Sequence, residues 1–210
     1  MSVRKYSLLT IFIYIIAFFA PIFAPTSQAS TNTTTVTYLL GAAFMVFLYL
    51  RQTSKLSFEK NKINLLPTLF WGIVGIFLAI LLQTGIMQIE KFFGVPIESQ
   101  NTQNIIGIVL RQPLFALAAM VGGPIMEEFV FRRSLIGLFD SFAYPWLGII
   151  VSSLIFAVVH QDGHLLLYFC LGFFLSLLYK KTGKIWTSMI SHVGMNSLVV
   201  IANLVLIAGN

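Results

Sequence analysis

The residues of this chain most able to do chemistry stand where an apolar segment should exclude them. Glu127, Glu128, Arg132 and Arg133 fall within Gly122-Gly123-Pro124-Ile125-Met126-Glu127-Glu128-Phe129-Val130-Phe131-Arg132-Arg133, a run otherwise built for a membrane interior. A charged side chain near the bilayer centre costs about 2.5–3.5 kcal/mol on insertion scales, whereas each Leu or Ile returns roughly 0.3–0.6. Four such charges consume the insertion free energy of a whole apolar span. They are tolerable only if they pair, face a wet cavity, or react. Two further polar groups stand in later apolar runs: His160, and the pair His192 and Asn196.

Each spacing carries a mechanism. Glu128 and Arg132 are four apart with the acid first, the favourable order for a helical ion pair, and pairing lowers the cost of burying both. Glu127 points about 100° away from Glu128 on a helix and is left free for proton transfer. His192 and Asn196 share a face one turn apart, where an imidazole and an amide can bind an oxyanion or hold a water. Phe156 lies one turn before His160 and packs beside it.

Structural readings stand beside these. An intramembrane His or Asn can serve as interhelical glue, worth about 0.6–2 kcal/mol. Glu128 with Arg132 can hold a helix in shape, and Arg133 is expected to snorkel to the interface. His160 and His164 have metal-ligand spacing, but Gly163 between them argues against a continuous helix. No H-E-x-x-H motif is present. Gly172 and Ser176 form a small-xxx-small pair suited to helix packing.

The elements that must position these groups follow from composition. The 210 residues are 58% hydrophobic and 10% charged, against about 25% charged in a soluble domain, so the chain is all-α, a polytopic transmembrane helical bundle. Its excess of basic charge lies between apolar runs, which is topology information and not a nucleic-acid footprint. The lone cysteine, Cys170, excludes disulfides and Cys-rich metal sites.

The pattern predicts about seven spans. The first, Tyr6 to Ala24, is long for a signal peptide and reads as a retained span despite small residues near Ala29. Thr26 to Thr35 reads as an exposed loop, Val36 to Leu50 as the second span, and Arg51, Lys55, Lys60 and Lys62 as a basic linker. The third span covers Leu65 to Ile89, and Ile105 to Arg111 reads as a short interfacial helix. Pro113 suits the first turn of the fourth span, and Gly122-Gly123-Pro124 interrupts it. Pro145 opens the fifth, ending near His160. The sixth covers Leu165 to Tyr179, and the seventh Ile185 to Ile207. Residues 1–110 form the N-terminal three spans and connecting loops, and 111–210 the helical core that carries the buried polar groups, in a single membrane unit.

Eleven of the 13 Lys and Arg fall at the N-terminus, the 51–62 linker, the end of span four and the 180–184 loop. With seven spans these clusters share one side, which the positive-inside rule places in the cytoplasm together with the N-terminus. At 1.5 Å per residue, Glu127 lies roughly 18 Å deep, His160 about 22 Å, and His192 and Asn196 roughly 10–17 Å. Spans four, five and seven therefore bring a carboxylate and two imidazoles to similar depths in a core about 30 Å thick.

Glu127-Glu128-x-x-x-Arg132, Phe156-x-x-x-His160 and His192-x-x-x-Asn196 resemble, in order and in placement on successive helices, the three motifs of the CPBP intramembrane proteases. This is the CAAX protease and bacteriocin-processing family, also called the Abi family. The loop Lys180 to Trp186 is similar to the one before that family's last motif. The resemblance covers roughly Arg111 to Leu204; the first three spans carry none. It implies that Glu127 activates a water, His160 positions it, His192 and Asn196 stabilise the oxyanion, and Glu128 with Arg132 maintains the motif helix. It leaves two schemes open: a divalent metal such as zinc on Glu127, His160 and His192, or no metal.

The function expected is hydrolysis of a peptide bond in a peptide or membrane-protein substrate, in a bacterial cell membrane. No residue implies a prenylated or nucleic-acid partner, and the oligomeric state is not encoded in any motif. The alternatives are a non-proteolytic immunity or scaffold protein, and a transporter or channel, which also buries charge but for which no internal repeat is seen.

Overall fold

A computed structural model describes residues 1–60 and 64–209. Among these residues there are eight helical rods and no strand: α1 (Val3–Phe19), α2 (Ser27–Leu50), α3 (Leu65–Phe92), α4 (Gln100–Arg111), α5 (residues 115–140), α6 (Pro145–His160), α7 (Leu165–Thr182) and α8 (Ile185–Ala208). Five are long and apolar enough to cross a membrane: α1 continued by the 3₁₀ turn Ala20–Phe23, α2, α3, α7 and α8. The other two expected spans differ in kind. α6 is apolar but only 16 residues long, and α5 carries the buried charges.

Large apolar side chains cover the outside of the bundle, as Phe70, Phe77 and Leu81 do on α3, while Gly72, Gly75 and Ala79 of that helix are buried. Lipid tails solvate the former as well as protein would, so close helix packing rests on small residues and interhelical hydrogen bonds. A Cβ at Gly75 would collide with Ser191 of α8, whose hydroxyl donates to the Gly72 carbonyl at 2.9 Å. Likewise, Gly172 of α7 lets the Ser153 backbone of α6 approach closely, in line with the small-xxx-small reading.

The tract Thr26 to Thr35 is not a loop. Ser27 onward is helical, with Thr26 capping the Ala29 N–H at 3.1 Å. Thr31, Thr34 and Thr35 donate their hydroxyls to carbonyls four residues back, at 2.8–3.1 Å. Such back-bonding satisfies the polar side chains locally and removes the reason to leave the helix. The amphipathic α4 is also longer than expected, beginning at Gln100 because Ser99 caps the Thr102 N–H.

Nor do Gly122-Gly123-Pro124 break the fourth span. α5 alternates between α and π winding, with π turns over Ala118–Gly122 and Glu128–Leu135. The Gly123 N–H reaches the Ala118 carbonyl, five residues back. A π turn absorbs an irregular residue without ending the helix, so Pro124 is accommodated. Gly122 has its own reason: a Cβ there would lie 3.1 Å from the Tyr38 backbone, and its absence lets α2 press against α5.

Arg133 does not snorkel. It is 1% exposed and its Nε lies 2.9 Å from Glu59 Oε1, while Nη2 donates to the Ser54 carbonyl at 2.8 Å. Glu59 also accepts from Tyr179 Oη at 2.5 Å and from the Leu56 N–H at 2.7 Å. The linker after α2 folds back over α5 and supplies both an anion and a carbonyl, so the guanidinium has no need to reach the interface. Lys62, in the same basic linker, lies outside the described residues.

The ends of the helices sort into two faces. Ser57 bonds the Asp140 carboxylate through its N–H and hydroxyl, Ser54 donates to the Met1 carbonyl, and Arg4 sits over the Phe142 ring. Lys180 and Lys181 lie over Trp146 and Trp71 on that same basic face. At the opposite face Glu90 meets His164 and Ser99 meets Asp162.

Candidate active site

Glu127 is the last residue of an α turn and Glu128 the first of the following π segment, so adjacent carboxylates face different surroundings. Glu128 is fully buried, with Arg132 Nη2 at 3.4 Å from its Oε1. The same oxygen accepts a hydrogen bond from His192 Nδ1 at 2.9 Å. A carboxylate here can only accept, so the proton is on Nδ1 and Nε2 is directed elsewhere. Across from it, at 3.7 Å, stands Glu127 Oε2. That gap is too long for a direct hydrogen bond and wide enough for a water that donates to both.

Glu127 keeps 18% of its side chain exposed, into a cavity of about 220 Å³ that His160 and Asn196 also line. His192 lines a second cavity of about 270 Å³, again with His160 and Asn196. The sequence candidates Glu127, His160, His192 and Asn196 thus meet at the seam between two chambers, while Glu128 and Arg132 lie behind it in the bundle interior. The similar depths estimated along separate helices become lateral proximity here.

His160 ends α6 and donates Nδ1–H to the Phe156 carbonyl at 2.7 Å, which leaves Nε2 as an acceptor. Its ring stacks on Tyr168 of α7, with centroids 3.8 Å apart. Phe156 is the hub beneath: its ring is 4.4 Å from His160 and 6.0 Å from His192, and the Arg132 guanidinium lies 4.5 Å over its face. Burial of Arg132 therefore rests on the Glu128 carboxylate and a cation–π contact.

His164 is not part of this site. Positive φ at Gln161 (49°) and Gly163 (87°) turns the chain after α6, and His164 Nδ1 donates to Glu90 Oε2 at 2.6 Å on α3. The two-histidine metal face drawn from spacing alone is absent because no helix joins the two residues. Sequence reasoning missed Tyr168, which looks like a core aromatic in an apolar run, and Asp162, which accepts from Tyr168 Oη at 2.8 Å and from Ser99 at 2.7 Å. The polar break Gln161 to His164 was the visible signal for Asp162; Tyr168 had none.

The donors Glu127, His160 and His192 do not form a metal-holding group as arranged, and no cluster of three His, Cys, Asp or Glu among the described residues does. Both imidazoles have Nδ1 anchored, as a ligating histidine would.

The all-helical membrane bundle thus gathers a carboxylate, two anchored imidazoles and an amide at one internal seam. The family described as type II CAAX prenyl endopeptidase Rce1-like matches residues 109–198. YdiL of Bacillus subtilis, provisionally named a membrane peptidase, is 38% identical over 166 residues, covering 76% of this chain and 67% of its own. MroQ of Staphylococcus aureus, named a membrane-embedded CAAX protease, is 30% identical over 222 aligned positions, covering 94% and 89%. No solved structure matches the chain. The chain belongs to the CPBP family of CAAX-type membrane proteases.

Proposed function

We propose that this protein is an intramembrane endopeptidase that hydrolyses a peptide bond in a peptide or membrane-protein substrate by glutamate-activated attack of water. The observation that carries the reading is the 3.7 Å gap between Glu127 Oε2 and His192 Nε2, at a seam that His160 and Asn196 also line.

Glu127 accepts a proton from the water as its oxygen attacks the carbonyl carbon. His160 Nε2, freed by the Nδ1 bond to Phe156, accepts the water's other hydrogen and orients it. The carbonyl oxygen becomes an oxyanion, to which the Asn196 amide donates, with the His192 ring held beside it by Glu128. Glu127 then returns its proton to the amide nitrogen as the C–N bond breaks, which regenerates the carboxylate. Glu128 and Arg132 act through His192 and the helix, as positioning residues. Positioned proton transfer of this type is worth about 10²–10⁴ in rate.

The positive-inside rule assigns the basic face, with the N-terminus, to the cytoplasm of a bacterial cell. The test of the function is cleavage of co-expressed candidate membrane peptides by the wild type and by Glu127→Gln. Cleavage lost in this near-isosteric variant supports the reading. Equal cellular effects of both proteins without any cleavage would replace it with an immunity or scaffold role.

A further inference from the structure

The cavity of about 220 Å³ that holds Glu127 is walled on one side by α1 and α2, which lie outside the family-matched residues 109–198. These two helices bring a phenol each, Tyr14 and Tyr38. On α5, Gly123 and Phe131 stand four residues before and four after Glu127. A Cβ on Gly123 would lie 3.5 Å from the Tyr38 ring, and the Tyr14 ring meets Phe131 edge-on with centroids 6.0 Å apart. The two rings therefore flank the carboxylate along its own helix. Both side chains are half-buried. Among the described residues neither hydroxyl bonds to protein, and neither is fully enclosed by it. The hydroxyls of Tyr168 and Tyr179, by contrast, each hold a carboxylate.

A peptide drawn up to this carboxylate leaves water behind, and its main-chain carbonyls need donors in the wall. Thr34 already donates its hydroxyl to the Ser30 carbonyl, and His160 its Nδ1–H to the Phe156 carbonyl. That leaves Tyr14, Tyr38, Asn101 and Asn196 as side-chain donors lining the cavity. Asn196 serves the oxyanion in the mechanism above, and Asn101 belongs to α4. The phenols are seated against the turns of α5 on either side of Glu127. We propose that Tyr14 and Tyr38 are substrate-binding residues whose hydroxyls donate to main-chain carbonyls of the peptide beside the scissile bond. The inference rests on the protease reading above and adds to it that the first two spans, which carry none of the three motifs, complete the site. A phenol suits the task. Its packed ring fixes the position of the hydroxyl, and a neutral donor adds no charge beside Glu127, which stays free to take the proton.

The test uses the full chain in lipid vesicles and a membrane peptide that the wild type cuts and Glu127→Gln does not. Tyr14→Phe and Tyr38→Phe keep the rings and remove only the hydroxyls. Each should lower kcat/KM by about 3–10-fold, and the double variant by about 10–100-fold, with melting temperatures unchanged. The same peptide is then made with a thioamide, a weaker acceptor, replacing one main-chain amide at a time on either side of the scissile bond. One such replacement should slow the wild type several-fold and leave the matching Phe variant no slower than on the unmodified peptide, because hydroxyl and carbonyl form one coupled pair. Phe variants that cut as the wild type does, that lose rate only in step with a lowered melting temperature, or that respond to every thioamide as the wild type does would overturn the proposal while leaving proteolysis standing. If the wild type cuts no peptide, or Glu127→Gln cuts as the wild type does, the protease reading itself falls, and the two substrate donors with it.

Discussion

His160 lies flat against Tyr168, with ring centroids 3.8 Å apart and planes 22° from parallel. Tyr168 is in turn tied to Asp162, which also holds Ser99, the cap of α4. The orientation of a site imidazole is thus linked to the helix that roofs both chambers. Tyr168→Leu should lower kcat by about 10–100-fold, because a misplacement of about 1 Å in a reacting group has that consequence. Tyr168→Phe keeps the stack and should lose only a few-fold. Steady-state kinetics on one peptide substrate, with melting temperatures alongside, separates the ring from the hydroxyl.

Glu128→Gln leaves the Arg132 guanidinium fully buried without its anion. We expect a loss of about 3–5 kcal/mol in stability. Glu128→Gln with Arg132→Met should regain much of this but not the full activity, because an amide oxygen holds the His192 Nδ1–H more weakly than a carboxylate does. Thermal unfolding in detergent and peptide cleavage, measured on both variants, distinguish a purely structural ion pair from one that also positions His192.

On α3, Gly75→Ala places a methyl group against Ser191 and Leu178, while Gly85→Ala meets open space. The first should destabilise by about 1–3 kcal/mol through overpacking, and the second should be neutral or slightly stabilising. If both behaved alike, the close α3–α8 contact would be wrong.

Among the described residues no three donors are grouped to hold a metal ion, and we propose that the reaction proceeds without one. Cleavage should persist after exhaustive chelation, and metal analysis of the active protein should find less than one equivalent. Loss of activity on chelation, restored by zinc, would show that the donors gather around an ion during turnover.

The basic face carries Lys181 and the opposite face Glu98, both exposed. In a Cys170→Ser background, a cysteine at Glu98 should react with an impermeant maleimide in intact cells, and one at Lys181 only after permeabilisation. The reverse pattern would invert the orientation and move the site's mouth to the other side of the membrane.

The sequence by itself determined that the chain is an all-helical membrane protein, because apolar runs of this length have no other stable solution in lipid, where every backbone group must be satisfied within a helix. It also determined which side chains were out of place: Glu127, Glu128, Arg132, His160, His192 and Asn196 stand out because burying them is costly. Even the pairing of Glu128 with Arg132 was legible, since four residues is a local distance on a helix. The tertiary structure decided the rest. Arg133 became a buried partner of Glu59, 74 positions away, because the linker folds back over it. The Thr-rich tract became helix because its hydroxyls found carbonyls four residues back. His192 was placed between two carboxylates, Tyr168 under His160, and two cavities at one seam. These relations depend on which helix faces meet, and periodicity along a single helix carries no information about its neighbour's rotation or register.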